Sequence, residues 1–255
     1  MKTVILCGGL GTRLREETEV KPKPMVEVGG KPILWHILNI YYHWGYREFV
    51  LALGYKGEII KEYFLNYYYL ANDFTITLKN GKAKSVRRKH IDWKIDLVDT
   101  GLSTMTGGRL YRLRDKLRKN TFMLTYGDGV ADINIKHLLE FHKKHKKIAT
   151  VTAVRPVARF GEIIVDDKQV ISFKEKAQIR EGWINGGFFV FEPKFLEYLD
   201  GDECVLEGEP MERLVSDGQL MAFKHNGFWQ CMDTYRDKQL LETLWSKGEA
   251  PWKIW

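Results

Sequence analysis

The chain has 255 residues, 44% of them hydrophobic and 29% charged, with 40 Lys and Arg against 33 Asp and Glu for a net charge of +7. That content supplies a full globular core, while the absence of any eighteen-residue apolar run excludes a membrane-spanning helix and early glycines interrupt anything resembling a signal peptide. Three widely separated cysteines (Cys7, Cys204, Cys231) offer neither a disulfide framework nor zinc-ligand spacing, which favours a reducing, cytoplasmic setting, and the positive balance favours acidic partners: nucleotides, sugar phosphates or nucleic acid.

Thr3-Val4-Ile5-Leu6 is a short apolar run with β-branched members and predicts a buried strand that exits into Gly8-Gly9-Leu10-Gly11-Thr12-Arg13. Successive backbone N–H groups in such a loop form an anion nest, so the segment suits a phosphate; it equally suits a tight strand-to-helix turn bearing a surface arginine. Leu14 stands where a Rossmann fingerprint starting at Gly9 needs glycine, and no Gly-Lys-Ser/Thr follows for a Walker loop. Next come Lys21-Pro22-Lys23-Pro24, whose prolines restrict both lysines to extended or turn-like backbone.

Ile33, Leu34, Ile37, Leu38 and Tyr41 have helical spacing, with Gly45 as the stop. A strand over 47–55, a helix over 56–70, a strand over 94–101, one helix over 106–117 and a strand over 121–129 follow in order. Strands alternating with helices predict an α/β fold with a Rossmann-like, mostly parallel sheet, and ligands of such sheets bind outside the carboxyl ends of the strands. The glycine-bearing exits at Gly8 and Gly127 should therefore face one crevice. The basic run from His142 to Lys147 predicts the solvated end of a helix, 161–176 a β-hairpin insertion around Asp166-Asp167-Lys168, and 186–199 a strand followed by a helix. No linker, repeat or low-complexity tract divides the chain, which predicts one continuous domain over 1–255. The basic segment around Arg87 has the composition of a nucleic-acid contact or of a subunit contact. Asp128 follows a predicted strand and Asp233 precedes a predicted helix, positions that by themselves suit turn and N-cap chemistry.

The motif Gly8-Gly9-x-Gly11-Thr12-Arg13-Leu14, followed by Pro22-Lys23, resembles the sugar-1-phosphate nucleotidylyltransferases. The resemblance covers essentially the full chain. Through EETEVKPKPMVEVGGKPILWHI, VDTGLSTMTGGRL, YGDGVADI, INGGFFVF and FWQCMDTYRDK it is strongest to the branch that uses CTP and glucose 1-phosphate. It implies a magnesium-dependent attack of a sugar-phosphate oxygen on the α-phosphorus of the nucleotide, releasing pyrophosphate.

Position by position, the resemblance implies that Leu6, Cys7, Gly8, Gly9, Leu10, Gly11 and Thr12 wrap the nucleotide, while Arg13 holds the outgoing phosphates and Lys23 bridges them. Thr104, Arg109 and Gly127 further contact the nucleotide, Asp128 and Asp233 bind Mg²⁺, and Glu175, Lys176, Asn185 and Gly186 form the sugar-phosphate pocket. The chain departs from the related pattern at Ala177, where proline usually follows the lysine. Asp132 and Asp237 read instead as helix-start or ion-pair residues. The resemblance also implies a homo-oligomer, with the aromatic run around Tyr67–Tyr69 as possible contact surface. Thymidylyl, uridylyl or guanylyl transfer on the same fold, and a nucleic-acid-binding module, are the competing readings.

Overall fold

The side chains of residues 4–7 alternate between two apolar clusters, Ile5 and Cys7 in one and Val4 and Leu6 in the other, and none is more than 8% exposed. A strand buried on both faces in this way lies at the centre of a sheet covered on both sides. The structure is a computed structural model that describes residues 1–85, 91–155, 162–166, 169–174 and 182–255. Among them, seven strands form the central sheet: β1 (Lys2–Cys7), β2 (Glu48–Leu53), β3 (Lys94–Asp99), β4 (Phe122–Tyr126), β5 (Ala149–Val154), β6 (Ile184–Phe191) and β7 (Leu220–His225). Their spatial order is β7-β5-β6-β4-β1-β2-β3. Strand β6 runs antiparallel to both of its neighbours, and the other pairings are parallel.

The helices are α1 (Arg15–Thr18), α2 (Ile33–His43), α3 (Gly57–Leu70), α4 (Thr106–Arg112), α5 (Arg114–Leu117), α6 (Ile135–His145), α7 (Glu209–Ser216) and α8 (Tyr235–Ser246). The mostly parallel α/β architecture agrees with the alternating pattern, and the expected hairpin is present as Glu162–Asp166 paired antiparallel with Gln169–Lys174. Two details differ. The helix expected over 106–117 breaks at Leu113 into α4 and α5, and the helix expected after β6 is a run of 3₁₀ turns, Pro193–Tyr198.

The basic run does end α6, but His142 is buried, not solvated, at 1% exposure. The Lys147 N–H donates to His145 Nδ1 at 2.9 Å, which leaves the proton of a neutral ring on Nε2, donated to Thr150 Oγ1 at 2.7 Å. The Thr150 hydroxyl then serves His142 Nδ1 at 2.8 Å, and His142 Nε2–H reaches Glu192 Oε1 at 3.1 Å. Burial holds both histidines below their ordinary pKa.

His36 is fully buried beside Trp245 and Trp252, its Nε2 on the Val28 carbonyl at 2.9 Å and its Nδ1 accepting from Trp252 Nε1 at 3.3 Å. Burial lowers its pKa from 6.5 to about 4. A histidine depressed in the folded state contributes stability that is present above the unfolded value and is lost as pH falls toward the folded one. At about 1.4 kcal/mol per pH unit, His36 alone contributes about 3 kcal/mol. Scanning calorimetry should therefore show Tm falling by roughly 5–10 °C between pH 7 and pH 4.5. An unchanged Tm across that window would show that these histidines protonate without unfolding the chain.

Candidate active site

Two glycines shape the loop that leaves β1. A Cβ on Gly8 would lie 2.1 Å from the Arg109 guanidinium, so only glycine lets that group pass. Gly11 has φ +66, a left-handed conformation that lets its carbonyl accept from the Leu14 N–H and the Thr18 hydroxyl, both at 3.0 Å. The N–H groups of Gly9, Leu10 and Gly11 make no hydrogen bond among the described residues. Successive unpaired donors of this kind are what an anion nest requires.

The loop borders a cleft of about 520 Å³ at the carboxyl ends of β1 and β4. Leu6, Cys7, Gly8, Gly9, Leu10, Gly11, Thr12, Arg13, Lys23, Thr104, Arg109, Gly127 and Asp128 all line it. The Gly127 N–H donates to the Leu6 carbonyl at 3.0 Å, joining the two strand exits as the sequence predicts. Tyr126, Thr106, Met105, Ser103, Leu102 and Pro24 line the cleft as well. Sequence reading misses these six. For Tyr126 and Thr106, adjacency to Gly127-Asp128 and to the Gly107-Gly108 pair was the available signal.

Expected on the nucleotide as a helix-borne cation, Arg109 is only 4% exposed, and its guanidinium donates to protein oxygens. Nη1 reaches the Leu53 carbonyl (2.9 Å), the Thr100 hydroxyl (2.8 Å) and the Gly101 carbonyl (2.8 Å), while Nη2 reaches the Gly8 carbonyl at 3.0 Å. One buried cation thus ties the glycine loop to the ends of β2 and β3. Its direct structural effect is on the loop's shape.

Lys23 begins a 3₁₀ turn, Lys23–Met25, set by the flanking prolines. Its ammonium donates to Asp128 Oδ2 at 2.6 Å and to Asp233 Oδ1 at 2.5 Å. The two aspartates converge because Gly129–Ala131 and Trp229–Cys231 form an antiparallel ladder, Gly129 opposite Cys231, and the Met232 N–H donates to the Asp128 carbonyl at 2.8 Å. Arg13 adds an ion pair to Asp233 Oδ2 at 2.7 Å. Burial alone would raise the Asp233 pKa; the Lys23 ammonium and the Arg13 guanidinium outweigh it and hold the carboxyl below its ordinary value. Burial opposes the charge on Lys23, but Asp128 and Asp233 prevail and its pKa is raised. Two cations and two carboxylates therefore neutralise one another at the mouth of the nest.

Asp237 completes a capping box with Thr234 at the start of α8, and its Oδ2 also accepts from the Asp233 N–H at 3.1 Å. Asp132 lies 2.9 Å from His225. Asp237 thus takes the helix-start role expected of it. Asn185 accepts from the Gly187 N–H at 2.8 Å and donates to the Tyr126 hydroxyl at 3.3 Å, while the buried Gly186 offers its carbonyl to Trp229 Nε1 at 2.7 Å. Glu175, Lys176 and Ala177 lie outside the described residues, as does Arg87.

The sequence profile of the nucleotidyl transferase family matches residues 2–237. The chain belongs to that family. Among nucleotidyl transferases it is 52% identical over its whole length, and the whole of the relative's, to glucose-1-phosphate cytidylyltransferase of Salmonella typhi. It is 30% identical to the catalytic subunit beta of mannose-1-phosphate guanylyltransferase of Dictyostelium discoideum, over 96% of this chain and 64% of that one. The crystal structure of HddC from Yersinia pseudotuberculosis shares the fold, with a TM-score of 0.69 at 23% identity over 96% of this chain and 99% of that one. The family match covers the glycine loop, Lys23, both aspartates and the ladder between them.

Proposed function

We propose that this nucleotidyl transferase moves the cytidylyl group of CTP onto α-D-glucose 1-phosphate, giving CDP-glucose and pyrophosphate. The observation that carries this reading is the Lys23 ammonium held between Asp128 and Asp233 beside a nest of free amides. The contrast between 52% identity to a cytidylyltransferase and 30% to a guanylyltransferase supports CTP as the nucleotide.

Family members generally use a divalent metal. The residues fit one: two carboxylates already converge on a single cation, and Mg²⁺ takes one or two carboxylates and completes its shell with phosphates and water. Asp128 and Asp233 would hold it, and bound there it supplies positive charge to phosphate oxygens. The chain's own groups do the rest. Gly9, Leu10 and Gly11 present N–H donors to the triphosphate, with Leu6, Cys7, Gly8, Thr12, Thr104 and Gly127 shaping the nucleotide's bed and Arg109 fixing the loop from behind. Arg13 exchanges Asp233 for the outgoing phosphates, and Lys23 exchanges its carboxylates for the transferring one.

Asn185 and Gly186, with Glu175 and Lys176, take the sugar phosphate. One of its oxygens bonds to the α-phosphorus as the bond to the β-phosphate oxygen breaks, and that oxygen leaves with the pyrophosphate. The attacking phosphate is already ionised near neutral pH, so no general base is required. Catalysis rests on position and charge.

No helix among the described residues is long and apolar enough to cross a membrane. The free thiols of Cys7, Cys204 and Cys231 support a cytoplasmic location, and the exposed Leu65, Tyr69, Leu70 and Phe74 support a homo-oligomer. The test is to offer glucose 1-phosphate and Mg²⁺ with CTP, UTP, dTTP or GTP at equal concentration, and to identify the nucleotide sugar by chromatography. CDP-glucose should dominate. Preference for UTP or dTTP would remove the cytidylyl assignment and leave the fold reading intact.

A further inference from the structure

One carboxylate joins the two walls of the cleft. Glu207, in the turn before α7, accepts from the Thr106 hydroxyl at 2.7 Å through Oε2 and from the Tyr126 phenol through Oε1. Thr106 opens α4 on the nucleotide side, and its oxygen also accepts from the Leu206 N–H at 2.9 Å. Tyr126 ends β4 two residues before Asp128, and its oxygen accepts from Asn185 on β6, the strand at the sugar side. Both hydroxyl residues line the cleft, and the exposed Glu207 bridges them.

An ionised carboxylate offers acceptor sites only, so both hydroxyl protons must point at Glu207. That fixes their orientation and leaves a Tyr126 lone pair for Asn185. Hydrogen bonds to a charged acceptor are about twice as strong as neutral ones, which suits a strut between separate elements.

Resting on the functional reading above, we propose that Glu207 is a positioning residue for the transfer reaction. It locks Thr106 and Tyr126, and through them holds β6 and the end of β4 that carries Asp128 in register with α4. Glutamine is nearly isosteric but has one acceptor oxygen and one donor nitrogen, so Glu207→Gln leaves one hydroxyl without an acceptor. Tyr126→Phe removes the same link from its other end.

The experiment measures kcat and the KM of each substrate for wild type, Glu207→Gln, Tyr126→Phe and the double variant, with the nucleotide the wild type prefers and with thermal unfolding alongside. Glu207 is exposed and neither substitution deletes core volume, so Tm should stay within a few degrees. Misplacement by about 1 Å can lower rate by about 10²-fold, and each single variant is expected to lose about tenfold in kcat, with the KM for nucleotide changed by less than about threefold. The double variant should be no slower than the worse single one, because both changes break one linked unit. Wild-type kcat in either single variant, losses that multiply in the double, or a loss that only follows a collapse in Tm would each overturn the proposal. Wild-type protein inactive with all four nucleotides would instead remove the functional reading, and that result needs no variant to be seen.

Discussion

Lys23→Ala is expected to fold like the wild type and to lose about 10²- to 10³-fold in kcat, the usual effect of deleting one preorganised donor to developing charge. The lysine sits on a turn fixed by Pro22 and Pro24, and its ammonium contacts both carboxylates at the mouth of the glycine nest. No other lysine lines the cleft among the described residues, and Arg13 reaches only Asp233, so neither can replace it.

The same substitution should have a second effect, opposite in sign. Without the ammonium, two carboxylate oxygens that lie no more than about 5 Å apart repel by at least about 3 kcal/mol at an effective dielectric of 20, and a cation that enters relieves this. Calorimetric titration of the nucleotide-free protein should show tighter Mg²⁺ or Mn²⁺ binding in Lys23→Ala than in wild type. Turnover near the wild-type level would remove Lys23 from the chemistry. Weaker metal binding in the variant would mean that the carboxylates do not share one cation.

The parts legible in the sequence were those set by local pattern. The run Thr3–Leu6 and its glycines have only one comfortable arrangement, a buried strand opening into a loop, and the structure shows it. The Lys-Pro pairs announce a turn because proline restricts its own backbone and its neighbour's. What pattern alone cannot give is convergence. Asp128 and Asp233 meet through a short ladder between segments far apart in the chain, and only the family resemblance placed them together in advance. Arg109 shows the converse: its helix was predictable, but a buried guanidinium that ties three strand ends together depends on Leu53, Thr100 and Gly8, from separate elements. His142 was misread as solvated for the same reason, since its partners Thr150 and Glu192 come from the sheet and the loop after it. Glu207 carries no motif at all, and its role is visible only where Thr106 and Tyr126 meet it.

Asp128→Asn and Asp233→Asn are each expected to fold and to lose at least about 10²-fold in activity, and EDTA should abolish turnover until Mg²⁺ is restored. The arrangement sets how the two variants differ. Asp233 holds both Lys23 and Arg13, whereas the Asp128 carboxylate holds Lys23 alone. Removing the Asp233 charge therefore frees Arg13 and loosens Lys23 for a triphosphate, whereas removing the Asp128 charge only loosens Lys23. Nucleotide binding without metal should accordingly be tighter in Asp233→Asn than in wild type, with a smaller gain in Asp128→Asn. Both variants should need more Mg²⁺ for half-maximal rate, because each would lack one of the two carboxylates proposed to hold the metal. Fluorescence titration with CTP in EDTA measures the first effect, and rate against Mg²⁺ concentration measures the second. Full activity with unchanged magnesium dependence in either variant would exclude that aspartate as a ligand. Nucleotide affinity in EDTA that does not rise in Asp233→Asn would show that Arg13 and Lys23 reach the phosphates without first leaving the carboxylate.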